Sequence, residues 1–176
     1  MSVFVYNRFV ALLALFALAA GVVVVVPPVR RRLAAAGFGD LAPWLALIVA
    51  ATATAGSLTY SEVFGFEPCR LCWYQRIAMY PLVFVLAVGA ARRDPALRSY
   101  ALPLSITGGA ISVYHYLIQT FPSADTGACT AGVPCTAKYV NEFGFVSIPF
   151  MAFAGFLFIS AVLIAFRTSP SPRGSS

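Results

Sequence analysis

Five long apolar segments dominate the sequence and constrain its fold more than any other feature. They cover approximately residues 9–26, 41–64, 73–91, 100–121 and 145–166. Each is long enough to cross the ~30 Å hydrocarbon layer of a membrane as a helix. Hydrophobic residues make up 60% of the chain and charged residues only 10%, with a mean hydropathy of +0.85. The sequence therefore predicts an all-α integral membrane protein embedded in a lipid bilayer.

The distribution of positive charge predicts the orientation in the membrane. The net charge of +6 comes from short clusters between apolar segments, which is typical of topology signals and not of a nucleic-acid interface. One predicted side carries Arg30, Arg31, Arg32, Arg92, Arg93, Arg98, Arg167 and Arg173, and the other carries Arg8, Arg70 and Lys138. Since the cytoplasmic side has the excess of Lys and Arg, we expect the C-terminus inside and the N-terminus outside.

The first apolar segment also contains "ALA" at 17–19, which would suit cleavage by a signal peptidase. Cleavage there would leave Arg30, Arg31 and Arg32 outside, against the charge rule. We therefore expect this segment to be retained as a transmembrane helix.

All four cysteines lie in the loops predicted to be outside, as the pairs Cys69 with Cys72 and Cys129 with Cys135. Disulfides persist in extracytoplasmic compartments, so this placement indicates redox chemistry. Two structural disulfides are the alternative. Four cysteines allow three pairings, and the sequence leaves the resting connectivity open.

A reactive thiol is expected at the start of the third apolar segment. Cys72 lies at the predicted helix N-terminus, where free N–H groups and the helix dipole stabilise a thiolate. Arg76 follows at i+4 on the same helix face. An arginine in the apolar zone requires a partner or a function, unless its side chain extends back to the interface. The pattern predicts Cys72 as the thiol of low pKa.

His115, the single histidine, lies near the outer end of the fourth apolar segment, with Gln119 at i+4. Its predicted depth is close to that of Arg76. We therefore expect His115 and Arg76 to line one pocket beneath the dithiol, for a ligand that arrives through lipid and carries polar oxygens. A buried packing histidine is the alternative.

Small residues such as Gly108 and Gly109 predict close contact between helices. The segment "TAKYVNEF" at 136–143 is predicted to form a short interfacial helix, with its apolar residues toward lipid and its polar residues toward water. The lipid-facing residues would be Tyr139, Val140 and Phe143, and the water-facing residues Lys138, Asn141 and Glu142.

Four stretches, "PCRLCWYQRIAMYP", "YHYLIQ", "CTAGVPC" and "YVNEFGFVSIPF", resemble in this order the DsbB family of disulfide-bond formation proteins, and more closely its BdbC-like branch. The resemblance covers about residues 47–166 and implies a four-helix transmembrane bundle in the bacterial cytoplasmic membrane. The expected division is an additional N-terminal transmembrane helix with a basic loop at 1–40, a redox domain at 41–167 and a disordered cytoplasmic tail at 168–176.

The resemblance implies a thiol:quinone oxidoreductase with catalytic Cys69, Cys72, Cys129 and Cys135. The first pair would pass electrons to a membrane quinone, either ubiquinone or menaquinone, with menaquinone favoured by the BdbC-like similarity. The second pair would exchange disulfides with a soluble thioredoxin-fold oxidase of the DsbA type. The expected quinone-binding residues are Arg76, His115, Trp73 and Gln119.

The four cysteines admit three other functions. A vitamin K epoxide reductase type of enzyme has its CxxC after the loop pair, whereas here the CxxC comes first. A metal-binding membrane protein is disfavoured because 56 residues, most of them membrane-spanning, separate the two pairs, and no metal is expected. A non-enzymatic membrane protein with structural disulfides is the third alternative.

Overall fold

The computed structural model describes residues 2–125, 127, 129 and 133–166. Its helices are α1 (Val3–Val25), α2 (Pro27–Ala35), α3 (Ala42–Leu58), α4 (Arg70–Arg92), α5 (Leu97–Thr120) and α6 (Ile148–Ala165). A π-helical turn, Thr59–Val63, continues α3, and a short 3-10 turn, Pro122–Ala124, follows α5. Within the described residues there is no strand, only an isolated bridge between Glu142 and Val146. The predicted all-α fold is confirmed.

Five of these helices are long and apolar enough to cross a membrane: α1, α3 with its π-helical turn, α4, α5 and α6. The protein is therefore a multi-pass membrane protein, as predicted. Three spans, α1, α4 and α5, begin earlier than expected, and side chains cap the first two. Ser2 accepts a hydrogen bond from the N–H of Val5, and Cys69 accepts one from the N–H of Cys72.

The helix α2 was missed in the sequence, where its residues were interpreted as a connector. Pro27 and Pro28 occupy its first turn, where proline needs no N–H partner and already has a helical φ. The exposed Arg30 and Arg31 follow on the same short helix. Proline at this position starts a helix and does not mark a loop.

Helices α3, α4, α5 and α6 pack around a common core, with α4 between α3 and α5, and α6 against both α5 and α3. Leu82, Leu86, Phe156 and Ile159 are completely or almost completely buried there. A Cβ on Gly108 would lie only 2.2–2.8 Å from ring atoms of Phe156. The close packing predicted from the small residues is thus present where α5 meets α6.

The additional helix α1 packs against α6. A Cβ on Gly21 would lie 2.9 Å from Leu157 Cδ2 and 3.1 Å from Phe158 Cα, so the two helices are in close contact. At its other end, Tyr6 meets Tyr60 edge-on, with 5.3 Å between ring centroids. The first helix is therefore held against the bundle at both ends.

The predicted interfacial helix at 136–143 is wrong. The chain folds back there, and Glu142 and Val146 exchange two backbone hydrogen bonds of 2.9 Å. Phe143 and Gly144 have positive φ angles of 54° and 80°, which a helix cannot accommodate. Val140 is buried, and Tyr139 stacks on Phe66 at 4.8 Å. The predicted tail at 168–176 lies outside the described residues, as do Arg167 and Arg173.

Candidate functional site

The first cysteine pair lies where α4 begins. Cys69 is the N-cap residue in extended conformation, and its Sγ accepts the backbone N–H of Cys72 at 3.4 Å. The two Sγ atoms are 2.9 Å apart and both residues are free thiols. Cys69 is buried and Cys72 half-buried. The helix N-terminus therefore holds both sulfurs together.

Cys69, not Cys72, occupies the capping position, and this corrects the expectation from the sequence. The pKa of Cys69 is lowered to about 4, because Cys72 hydrogen-bonds to its sulfur. Burial opposes this shift, and a hydrogen bond from His115 adds to it. The helix simply begins one turn earlier than the apolar pattern indicates, so the cap falls on the first cysteine of the motif.

The second pair is bonded as the disulfide Cys129–Cys135, with 5.8 Å between Cα atoms. Cys135 is only 1% exposed, whereas Cys129 is half-buried. Cys135 packs with Cys69, Leu71 and Ile118 in one buried cluster, and Cys129 lies at the edge of this cluster. The fold therefore brings the two cysteine pairs together.

His115 lies between the two pairs and is 1% exposed. Its Nε2 is 3.1 Å from the carbonyl oxygen of Cys135 and 3.6 Å from Cys69 Sγ. Because a carbonyl oxygen only accepts hydrogen bonds, Nε2 must carry the proton. The Nδ1 atom is 3.1 Å from Nε2 of Gln75 and accepts from that amide. Gln75 thereby fixes the orientation of the ring, a role not anticipated from the sequence.

Cys72 lies between two separate cavities. The small cavity, of about 10 Å³, is lined by Cys69, Cys72, His115 and Gln119 among others and is about large enough for one water molecule. The large cavity, of about 420 Å³, is lined by Cys72, Arg76 and mostly apolar residues of α1, α3 and α6. The single pocket expected for His115 and Arg76 is therefore wrong, since these residues lie at different cavities.

Arg76 is buried, and its side chain is held by one residue of α3. Its Nε donates to Ser57 Oγ and its second terminal nitrogen donates to the Ser57 carbonyl oxygen, both at 3.0 Å. Its guanidinium carbon also lies 5.3 Å from the ring centre of Trp73. The positive charge is thus buried within the bundle at the large cavity. Ser57 is what holds it, a role not anticipated from the sequence.

The other two expected ligand-binding residues have different surroundings. Trp73 is 52% exposed and packs beneath the Arg76 guanidinium. Gln119 donates from Nε2 to the carbonyl oxygen of Ala137 at 3.0 Å, which ties the second loop to α5. Trp73 therefore lies beside Arg76 at the large cavity, whereas Gln119 lines the small cavity.

One group of possible metal ligands exists among the described residues, namely Cys69, Cys72 and His115, with ligand atoms within 4.8 Å of one another. Two thiolates bound to a tetrahedral zinc ion at ~2.3 Å would lie about 3.8 Å apart. The observed separation of the sulfurs is 2.9 Å, which suits thiol–disulfide chemistry better than a shared metal.

Comparison with known proteins assigns the sequence to a family. The family model described as "Disulfide bond formation protein DsbB" matches residues 39–166, well over half of the chain. No solved structure gives a significant match.

Curated relatives agree with the family model. The chain is 51% identical over 109 residues to "Probable disulfide formation protein C" of Bacillus cereus, which covers 61% of this chain and 78% of the relative. It is 50% identical over 127 residues to the protein of that name from Halalkalibacterium halodurans, and this match covers 70% of the chain and 90% of the relative. It is 47% identical over 113 residues to "Disulfide bond formation protein C" of Bacillus subtilis, and this match covers 64% of the chain and 82% of the relative. With its two adjoining cysteine pairs in a helical membrane bundle, the chain belongs to the DsbB family of disulfide bond formation proteins, in the BdbC-like branch.

Proposed function

We propose that this protein is a disulfide-generating thiol:quinone oxidoreductase, which reoxidises a soluble thioredoxin-fold oxidase of the DsbA type and transfers the electrons to a membrane quinone. The observation that carries this proposal is the position of His115, which contacts both Cys69 and the backbone of Cys135. Two cysteine pairs that only stapled their own loops would not need a common buried cluster.

Disulfide exchange starts at Cys129. This residue is the more accessible of the loop pair, whereas Cys135 is 1% exposed. A thiolate of the partner attacks Cys129 Sγ, forms a mixed disulfide and releases Cys135 as a thiolate. The second thiol of the partner then displaces Cys129. The partner leaves with a disulfide, and the loop pair holds the two electrons and two protons.

The second exchange transfers these electrons to the pair on α4. The Cys135 thiolate attacks Cys69 in a Cys69–Cys72 disulfide and releases Cys72, and Cys129 then resolves the Cys69–Cys135 bond. The loop disulfide is restored and Cys69 and Cys72 become the dithiol. The arrangement described above, with the loop pair bonded and the α4 pair free, corresponds to this stage.

The large cavity fits a membrane quinone as the final acceptor. Its volume of about 420 Å³ is within the usual range for ligand pockets of roughly 300–1,000 Å³. Cys72 and the buried cation of Arg76 lie on the same cavity, where the charge stabilises negative charge on a ligand oxygen. A bound quinone supplies a two-electron, two-proton acceptor, so that the Cys69–Cys72 disulfide is restored. Menaquinone and ubiquinone both meet this description.

The proposed location is the bacterial cytoplasmic membrane, with both cysteine loops outside and the C-terminus in the cytoplasm. The exposed Arg30 and Arg31 on α2 and Arg92 at the end of α4 support it, because all three lie at the end of the bundle opposite to the cysteine pairs, and an excess of positive charge marks the cytoplasmic side. A membrane-impermeant maleimide, applied to intact cells after mild reduction, should label Cys129. Labelling only after the cells are opened would mean that Cys129 faces the cytoplasm and that the orientation is the opposite of the proposed one.

Thiol trapping tests the function. A reduced thioredoxin-fold oxidase is mixed with membranes containing the protein, and its free thiols are alkylated at intervals and separated by gel mobility. We expect quinone-dependent oxidation that is lost with Cys69→Ala. Equal oxidation by wild type and Cys69→Ala would favour structural disulfides instead.

A further inference from the structure

The helix α1 lies outside the segment matched by the family model, yet it forms one wall of the large cavity. The family match begins at residue 39, whereas the cavity is lined by Val10, Leu13, Ala14, Phe16 and Ala17 of α1. These positions recur on one side of the helix over about two turns. An added helix that served only to anchor the chain would not need to border the cavity that also contains Cys72 and Arg76.

The wall is fixed to the bundle at both ends. At one end, Gly21 allows the close contact with Leu157 and Phe158 of α6. At the other, Tyr6 packs on Tyr60, and its hydroxyl donates to the carbonyl oxygen of Gly56 at 3.5 Å. Between these attachments α1 and α3 face each other across the cavity.

The cavity has a polar end and an apolar end. Cys72, Arg76 and Ser57 lie at the polar end. Along α1 and the first part of α3 the lining is apolar apart from Thr52, and two of these residues are largely exposed: Phe16 is 74% exposed and Ile48 60% exposed. A residue that both lines a cavity and faces outward marks an opening. In a membrane-spanning helix, this opening faces lipid.

We propose that α1 and α3 form a lateral entry for the isoprenoid tail of the quinone, with Leu13 and Phe16 as residues that contact the tail and select for it. This inference rests on the proposed function. The polar end holds the quinone ring beside Cys72 and Arg76, and the branched hydrocarbon tail leaves between α1 and α3. Apolar contact with α1 favours a long-tailed quinone over a tail-less one, because the hydrophobic free energy of binding grows with the apolar area that is buried.

Tryptophan substitutions at two positions of α1 test this proposal. Leu13 lines the cavity and is 39% exposed, whereas Val22 is 55% exposed and lies on the opposite face of α1. Binding of a long-tailed and a tail-less quinone is measured by competition against a photoreactive quinone that carries its azide on the tail, and the labelled peptides are identified by mass spectrometry. Partner-coupled reduction of both quinones is measured in parallel.

We expect label on peptides of α1 and α3 in the wild type. Leu13→Trp should weaken the long-tailed quinone about tenfold by filling the entry, while the tail-less quinone stays within about twofold. Val22→Trp should change neither. Should Leu13→Trp fail to fold, Phe16→Ala removes a largely exposed ring and should weaken only the long-tailed quinone.

Two results would overturn the inference. If Leu13→Trp and Phe16→Ala affect long-tailed and tail-less quinones equally or not at all, or if α1 takes no label, then α1 does not contact the tail although the proposed function stands. If the wild type neither binds nor reduces either quinone, the proposed function fails and this inference fails with it.

Discussion

His115 is hydrogen-bonded to the backbone of Cys135, with 3.1 Å between Nε2 and the carbonyl oxygen. This contact joins a membrane helix to a loop that carries one redox pair, and the same nitrogen lies 3.6 Å from Cys69 of the other pair. The Nε2–H of His115 therefore stabilises the Cys69 thiolate that leaves when Cys129 resolves the Cys69–Cys135 bond.

Replacement of His115 should slow the exchange between the two pairs. His115→Ala removes the Nε2–H, and loss of a hydrogen bond to a charged sulfur should slow transfer from the loop pair to the α4 pair about tenfold. The first exchange with the partner should be unchanged, because it occurs at Cys129. Acid quenching and mass spectrometry of the trapped thiols would measure both steps. Equal rates of transfer between the two cysteine pairs in His115→Ala and wild type would show that His115 does not assist this exchange.

The exposure difference within the loop pair predicts which cysteine the partner attacks. Cys135→Ala leaves Cys129 free and should trap a mixed disulfide with a single-cysteine partner. Cys129→Ala leaves only the nearly buried Cys135, and should trap several-fold less. Non-reducing gels would quantify the two complexes. Preferential trapping on Cys135 would contradict the proposed order of exchange.

The lowered pKa of Cys69 predicts an unusual pH profile of alkylation. In protein with Cys129→Ala and Cys135→Ala and a reduced α4 pair, Cys69 should be a thiolate above pH about 4. Its reaction with iodoacetamide should then vary little between roughly pH 5 and 7. Adding Cys72→Ala removes the largest cause of the shift and raises the pKa of Cys69.

At pH ~6 this variant should react about tenfold more slowly, because the loss of thiolate exceeds the gain in nucleophilicity. The rate should also rise with pH. A parallel profile in both proteins would mean that Cys72 does not set the pKa of Cys69.

Arg76 should govern the use of quinone without affecting the disulfides. Arg76→Ala removes the buried charge at the large cavity and should raise the KM for quinone about tenfold. Arg76→Lys keeps the charge but loses the forked contact with Ser57, so an intermediate value is expected. The exposed Arg31→Ala is the matched control. Unchanged kinetics of Arg76→Ala over a range of quinone concentrations would exclude the assigned role.

The contact between α5 and α6 predicts different effects for adjacent glycines. Gly108→Ala places a Cβ within 2.2–2.8 Å of the Phe156 ring and should destabilise the protein by about 1–3 kcal/mol. Gly109→Ala meets Phe156 Cβ at an ordinary 3.5 Å and should be nearly neutral. Thermal unfolding in detergent would compare the two. A similar melting temperature for both would show that the bundle adapts at this point.

The membrane helices were predictable from the sequence because apolar length decides whether a segment spans a bilayer, and all five predicted spans are present. The ends of these helices were less predictable from the sequence. Cys69 caps α4 with its sulfur, and nothing in the hydropathy of "EPCRLCW" distinguishes it from Cys72 as the capping residue. Hydropathy likewise gave no sign of α2, which depends on proline at the first turn.

The candidate site was predictable in composition but not in arrangement. Depth along a helix can be counted from the sequence, and it suggested one pocket for Arg76 and His115. Rotation about the helix axes depends on tertiary packing, which turns Arg76 toward Ser57 of α3 and His115 toward Gln75 of α4. Likewise, the turn at Phe143 and Gly144 requires backbone angles that periodicity does not reveal.

The most direct measurement of the central claim is an anaerobic single-turnover experiment. The purified protein is mixed with a reduced thioredoxin-fold partner and a soluble quinone, and quinone absorbance is followed together with the partner's thiols. We expect one quinone reduced for each partner disulfide formed, with both processes lost when any of the four cysteines is replaced by alanine. Quinone reduction that persists without Cys129 and Cys135, or no reduction while the wild-type cysteines stay paired, would contradict the relay.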